Sequence, residues 1–221
     1  MMDKEISMNI HDREEDLFSK WETNRGDFVR DGVVCEAAYR NTAPKIAVVL
    51  KEPHGDNGGD IRNWLRDVKS KDRTWDTVAR WVYGIKNRKS LPAWKDFPET
   101  TPERKTEMFQ GVCAINLKKA AGGSAANYSE IERIAREDAE YIRKQYAFYK
   151  PDLTICCGVG SLFKEVIGHC DKKSKPTTRG VQYWTWENGK HVLDFFHPAR
   201  PIESTLKLYP LIDAINEIYS A

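Results

Sequence analysis

No stretch of this chain approaches the ~20 consecutive apolar residues that a helix needs to cross a bilayer, so a helical membrane protein is excluded. Residues Met1 to Lys20 carry acidic and basic side chains every few positions and no apolar segment. No secretory signal is therefore expected, and the cytoplasm is the expected compartment. Cysteine is scarce: Cys35, Cys113, Cys156, Cys157 and Cys170 form an odd set without a Cys-x-x-Cys pair. That argues against a disulfide framework and against a zinc or iron-sulfur site, and leaves buried free thiols as the expectation. Long low-complexity tracts and long runs of one charge are missing too, so little of the chain need be disordered. Three signatures are also absent: the Gly-x-x-x-x-Gly-Lys-Ser/Thr phosphate loop, the Gly-x-Gly-x-x-Gly dinucleotide turn and the Gly-x-Ser-x-Gly nucleophile elbow.

What is present is a chain of 221 residues, 40% hydrophobic, with 35 Lys and Arg against 33 Asp and Glu. That length suits one domain. The near balance of charge hides a local excess, since residues 61 to 95 hold ten Lys/Arg and only three Asp. A second basic stretch, Lys172, Lys173, Lys175 and Arg179, surrounds Pro176 and reads as a loop. Such patches suit a polyanion, because every neutralised phosphate releases counterions. Solvated helix faces are the plainer account.

Short β-branched runs alternate with helical periodicity, the pattern of an α/β layer fold. Ile46 to Leu50, Val112 to Leu117 and Leu153 to Cys157 read as buried strands, and Val192 to Phe196 as a fourth, reached from Val181 to Trp186 through a hairpin turn at Asn188-Gly189. Trp75, Val78, Ala79 and Val82 form one apolar helical stripe. A capping box at Ser129 and Glu132 predicts a helix running to Pro151, Thr101-Pro102 starts another, and Leu206 to Tyr219 closes the chain as a helix containing Pro210. The expectation is a three-layer α/β/α domain spanning residues 1 to 221, with a central, mostly parallel four-stranded sheet and residues 1 to 43 as a helical lead-in.

In open parallel sheets, ligands bind beyond the carboxyl ends of the strands. After the first strand comes Lys51-Glu52-Pro53-His54-Gly55-Asp56-Asn57-Gly58-Gly59-Asp60. Its glycines let the backbone approach a ligand, and Asp60 suits the helix cap before Ile61. A metal held by His54, Asp56 and Asp60 lacks a spacing signature, and loop shaping is the better account. The second strand ends in Asn116-Leu117-Lys118-Lys119, and an Asn there offers an acceptor and two donors to a base edge, or simply a backbone cap. The last strand delivers Phe196-His197-Pro198-Ala199-Arg200-Pro201. A histidine so placed can donate to a developing anion.

In this order and spacing, the segments Lys51-Glu52-Pro53-His54, Ile115-Asn116-Leu117-Lys118, Pro151 to Gly160 and Phe196-His197-Pro198-Ala199 resemble the motifs of the uracil-DNA glycosylase superfamily over residues 44 to 201. The resemblance implies a hydrolase of the base-sugar bond that flips its target base out of DNA and needs no cofactor or metal. It implies that Glu52 positions water and stabilises the sugar cation, and that His197 stabilises the departing base. Asn116, His54 and Trp64 would line the base pocket. Lys51, Lys118, Lys119 and Arg200 would face DNA, with Arg200, Pro201 and Ile202 at the position of the duplex wedge. A monomer is expected. The chain departs from the family pattern at Glu52, where Asp or Asn is usual, at Ala199 for Ser, and at Lys51 for a small residue. These departures leave open a damaged base other than uracil, or a nucleic-acid or nucleotide-binding relative that does not cleave. A small-molecule hydrolase or transferase using the Gly55 to Asp60 loop is the remaining alternative.

Overall fold

The computed structural model describes residues 8–55, 59–123, 126–187 and 189–220. Four strands run parallel through the middle of the sheet: β2 (Ile46–Leu50), β3 (Val112–Asn116), β4 (Leu153–Cys157) and β7 (Lys190–Phe195). Side chains of β2 alternate between two cores, as strand geometry requires. Ile46, Val48 and Leu50 enter one hydrophobic cluster, Ala47 and Val49 the other. A strand covered on both faces has no solvent side, which is why the run reads as continuous Ile, Val and Leu.

The sheet is larger and more mixed than the four mostly parallel strands expected. It has seven strands in the order β1-β3-β2-β4-β7-β6-β5. β1 (Gly32–Val33) pairs antiparallel with β3, β6 (Gln182–Glu187) antiparallel with β7, and β5 (Lys175–Pro176) antiparallel with β6. Two-residue strands are too short to show any periodicity, so β1 and β5 left no sequence pattern. Lys175 and Pro176, read as part of a basic loop, instead form the outermost strand, where a proline removes no needed ladder donor. The β6–β7 hairpin is where the sequence placed it, although its turn residue Asn188 lies outside the described residues, as do Asp56 to Gly58 of the first loop.

Among the described residues nine α-helices form the outer layers. On the first core lie α3 (Ile61–Arg66), α4 (Arg73–Lys86), α5 (Pro102–Phe109) and α9 (Ser204–Ser220). α4 buries Trp75, Val78, Ala79 and Val82, and the Trp81 indole N–H donates to the carbonyl of Lys207 on α9 at 2.9 Å. On the second core lie α1 (Ile10–Trp21), α2 (Glu36–Asn41), α6 (Tyr128–Glu137), α7 (Ala139–Tyr149) and α8 (Gly160–Val166). A three-layer α/β/α architecture results. The single helix expected from Ser129 to Pro151 is two, α6 and α7, broken at Asp138, whose carboxylate is clamped by Arg25 at 2.8 Å. Its cap is also Asn127, which accepts from the Glu130 N–H, rather than Ser129. No helix of the described residues is long and apolar enough to cross a membrane.

Candidate active site

The carboxyl ends of β2, β3 and β7 open into one cleft of about 420 Å³. Glu52, His54, Trp64, Asn116 and His197, the five residues singled out as catalytic or base-binding, all line it. They come from points far apart in the chain: the turn after β2, helix α3, the last residue of β3 and the turn after β7. Adjacent parallel strands end side by side, so one mouth collects all of them.

Glu52 is nearly buried, its side chain 9% exposed, and its Oε2 takes the Lys118 ammonium at 2.9 Å. Lys118 is shared with Glu130 at 3.3 Å. Burial works against the charge of Lys118, but hydrogen bonds and charge from Glu52 and Glu130 outweigh it and raise its pKa. Across the carboxylate lies Gly122, bridged through its backbone to His54, its N–H donating to the Pro53 carbonyl at 2.9 Å. A Cβ on Gly122 would sit 2.0 Å from Glu52 Oε1, so only glycine allows the carboxylate this position.

Asn116 sits at the floor, 1% exposed. Its backbone N–H and its side-chain amide both donate to Asp31 Oδ2, at 2.7 and 3.2 Å. A carboxylate only accepts, so the amide nitrogen is the atom turned toward Asp31. Asp31 Oδ1 in turn receives Lys119 Nζ at 2.6 Å and Gln145 Nε2 at 2.7 Å.

His197 is half-buried. Its Nδ1 accepts the backbone N–H of Ala199 at 3.2 Å, which places the proton of the neutral ring on Nε2. Burial, with the nearby charge of Lys51, pushes its pKa below the ordinary 6.5 against the opposing pull of Asp72. The ring is thus held neutral, with one N–H to give. Ala199, which lacks the hydroxyl of the resembled motif, supports the imidazole through its backbone.

Part of the lining is aromatic: Trp64 and Trp75 lie 6.1 Å apart, and Phe109 meets Trp75 edge-on at 5.6 Å. The glycine turn after β4 serves structure, since the Gly160 N–H donates to Asp194 at 3.1 Å and a Cβ there would collide with that side chain.

The residues expected to face DNA are dispersed. Lys51 lies over the Tyr128 ring at 4.7 Å, and Lys118 is committed to Glu52 and Glu130. Lys119 is wholly buried against Asp31, with its ammonium also over the Trp21 ring at 4.8 Å. It does not reach the surface. Arg200 is exposed and, with Ile202, lines a neighbouring cavity instead of the cleft. Among the described residues no group of three or more His, Cys, Asp and Glu side chains is placed to hold a metal ion.

Sequence reasoning missed Asp31, Asp72, Trp75 and Gly122. Trp75 is absorbed by its helical stripe, whereas an isolated Asp before a two-residue strand carries no pattern at all.

No protein-family profile matches the chain. Seventy-six residues, 34% of the chain, are 36% identical to a stretch of the DNA mismatch repair protein MutS of Methanosarcina barkeri (strain Fusaro / DSM 804). The match covers 8% of that protein's length.

Proposed function

We propose that this protein is a DNA glycosylase-like hydrolase of the uracil-DNA glycosylase type, which cleaves the bond between a damaged or deaminated base and its sugar after the base has left the helix. The observation that carries this reading is the convergence of Glu52, Asn116 and His197, from three strand ends, on one cleft with a partly aromatic lining. The floor amide of Asn116, its orientation locked by Asp31, suits reading a base edge. Trp64 and Trp75 suit stacking, which returns ~1–3 kcal/mol per base against the cost of flipping. The likeness to a stretch of a DNA mismatch repair protein points toward DNA as partner.

In this reading the C1′–N bond breaks with its electron pair leaving on the base. The Nε2–H of neutral His197 donates to the base oxygen that gathers the charge, worth roughly 10²- to 10³-fold for one well-placed donor. Glu52 stabilises the sugar cation and accepts the proton of the attacking water, worth roughly 10²- to 10⁴-fold. The test uses end-labelled single- and double-stranded oligonucleotides carrying one uracil, hypoxanthine, xanthine or oxidised base, with alkali to break abasic sites. Strand breakage on one of them, lost in Glu52→Gln and in His197→Ala, is the expected result. Full activity in either variant removes that residue's role.

A specific contact favours a second reading. Lys118 occupies one oxygen of Glu52 at 2.9 Å, which leaves the carboxylate less free to take a proton. A nucleic-acid or nucleotide-binding module of the same fold accounts for that clamp. Tight binding without product from any of the oligonucleotides would decide for it.

A further inference from the structure

Beside the cleft lies a second cavity, about 530 Å³, between the start of α4, the first turn of α9 and the Arg200–Ser204 segment. Lys71, Arg73, Arg80, Arg200 and Lys207 line it, against Asp72, Asp76 and Glu203. Two of those three carboxylates are already engaged. Asp76 holds Lys105 at 2.8 Å, and Asp72 caps α4 by accepting the Trp75 N–H at 3.0 Å. The five cations have no such commitment: Arg80 donates to the Thr100 hydroxyl, Arg200 lies over the Phe196 ring, and none of the five is within ion-pair distance of a described carboxylate.

Lys207 is the most constrained of them. It is 5% exposed, and its ammonium donates to the Pro198 carbonyl at 3.1 Å. An ammonium has three donors, so two remain for another acceptor. Burial, and then the charges of Arg73 and Arg80, depress its pKa, with Glu203 opposing. Five cations around the open space outnumber the charges left on Asp72 and Glu203, and the repulsion among them is relieved when an anion enters.

The two cavities adjoin, since Asp72 lines both and Pro198, which takes Lys207, directly follows His197. We propose that this second cavity is a phosphate-binding subsite, with Lys207 at its base and Arg73 and Arg80 on its wall, that takes a phosphate of a nucleic-acid strand lying across the cleft. The choice of a strand as the source of the phosphate rests on the nucleic-acid reading above; the subsite itself does not.

The test uses the full chain with Arg73→Gln, Arg80→Gln and the double variant, whose melting temperatures check that the fold is kept. Affinity for a fluorescein-labelled oligothymidylate, which contains no target base, is read by anisotropy between about 50 and 200 mM salt. Binding of inorganic pyrophosphate is read by calorimetry. The expected result is weaker oligonucleotide binding in each variant, with the slope of log affinity against log salt shallower by roughly 0.7 for each phosphate that is no longer neutralised. Loss of pyrophosphate binding with oligonucleotide affinity and slope unchanged would keep the subsite and overturn the strand as its source. Unchanged binding of both ligands would overturn the subsite. Failure of cleavage alone bears on Glu52 and His197 and leaves these readouts untouched.

Discussion

Asp31 holds Asn116 twice, through the backbone N–H at 2.7 Å and the side-chain amide at 3.2 Å, both on the same carboxylate oxygen. The other oxygen is saturated by Lys119 and Gln145. Asp31 itself lies just before β1, the edge strand that pairs with β3, and that pairing brings the carboxylate level with the end of β3. A two-residue strand thereby sets the orientation of the one amide on the floor of the cleft. The same pair accounts for Lys119, whose charge neutralises Asp31 inside the protein.

Removing one member of this buried pair should therefore cost far more than removing both. Asp31→Asn strands the Lys119 ammonium, and Lys119→Met strands the carboxylate; each is expected to destabilise by about 3–5 kcal/mol. The double variant should cost less than the sum of the two. Urea unfolding of the four proteins measures the coupling, and strictly additive losses would mean that the pair is not a unit.

Gly122 offers a way to disturb Glu52 without touching it. An alanine Cβ there meets Oε1 at 2.0 Å, so Gly122→Ala must push the carboxylate away from its place beside Lys118. Misplacement of a reacting group by about 1 Å can cost ~10²-fold in rate. The expected outcome is a loss of that order in base release, with oligonucleotide affinity retained. Cleavage at the parent rate would show that Glu52 is not in its working position here.

Much of this arrangement was legible in the sequence, because the legible parts share one cause. Ile46–Leu50 and Leu153–Cys157 are covered on both faces, so their hydrophobic runs coincide with the strand limits. The residues that follow strands fall at the mouth of the sheet by topology alone, which is why Glu52, Asn116 and His197 stand out. Lys118 and Lys119 mislead for the opposite reason. A lysine reads as solvated unless a buried carboxylate is known to await it, and the partners Asp31 and Glu52 lie 88 and 66 residues away. The break at Asp138 has the same origin, since its clamp comes from Arg25, 113 residues distant.

Arg62 ties the N-terminal helix to the loop that borders the cleft. It is 2% exposed and binds Glu14 and Asp60, each at 2.7 Å, and Glu15 at 2.8 Å. Burial raises the pKa of Glu14 even though Arg62 opposes it. Arg62→Met is expected to destabilise by about 3–5 kcal/mol, and Glu14→Gln in the same chain to restore part of that. Hydrogen exchange in residues 59–66 should accelerate in the single variant; unaltered exchange there would detach Arg62 from the loop.

Three histidines contribute to the response to acid. His169, His191 and His197 all have pKa values pushed below 6.5, in each case first by burial. At these three sites the unfolded chain binds protons that the folded chain refuses, so their contribution to stability rises with pH across that interval. The sign is fixed: their contribution is fully present above pH 6.5, and is lost progressively as pH falls from there through the depressed folded values. For cleavage, His197 must be neutral to keep Nδ1 as acceptor and Nε2–H as donor, so the acid limb of the rate profile should lie below pH 6.5. Melting temperature should depend less steeply on pH across this range in His197→Gln, with His169 and His191 still in place, and the acid limb of the residual rate should shift or vanish. A rate that instead fell as pH rose through this range would mean that the imidazolium is the working form, and the leaving-base role of a neutral ring would have to be abandoned.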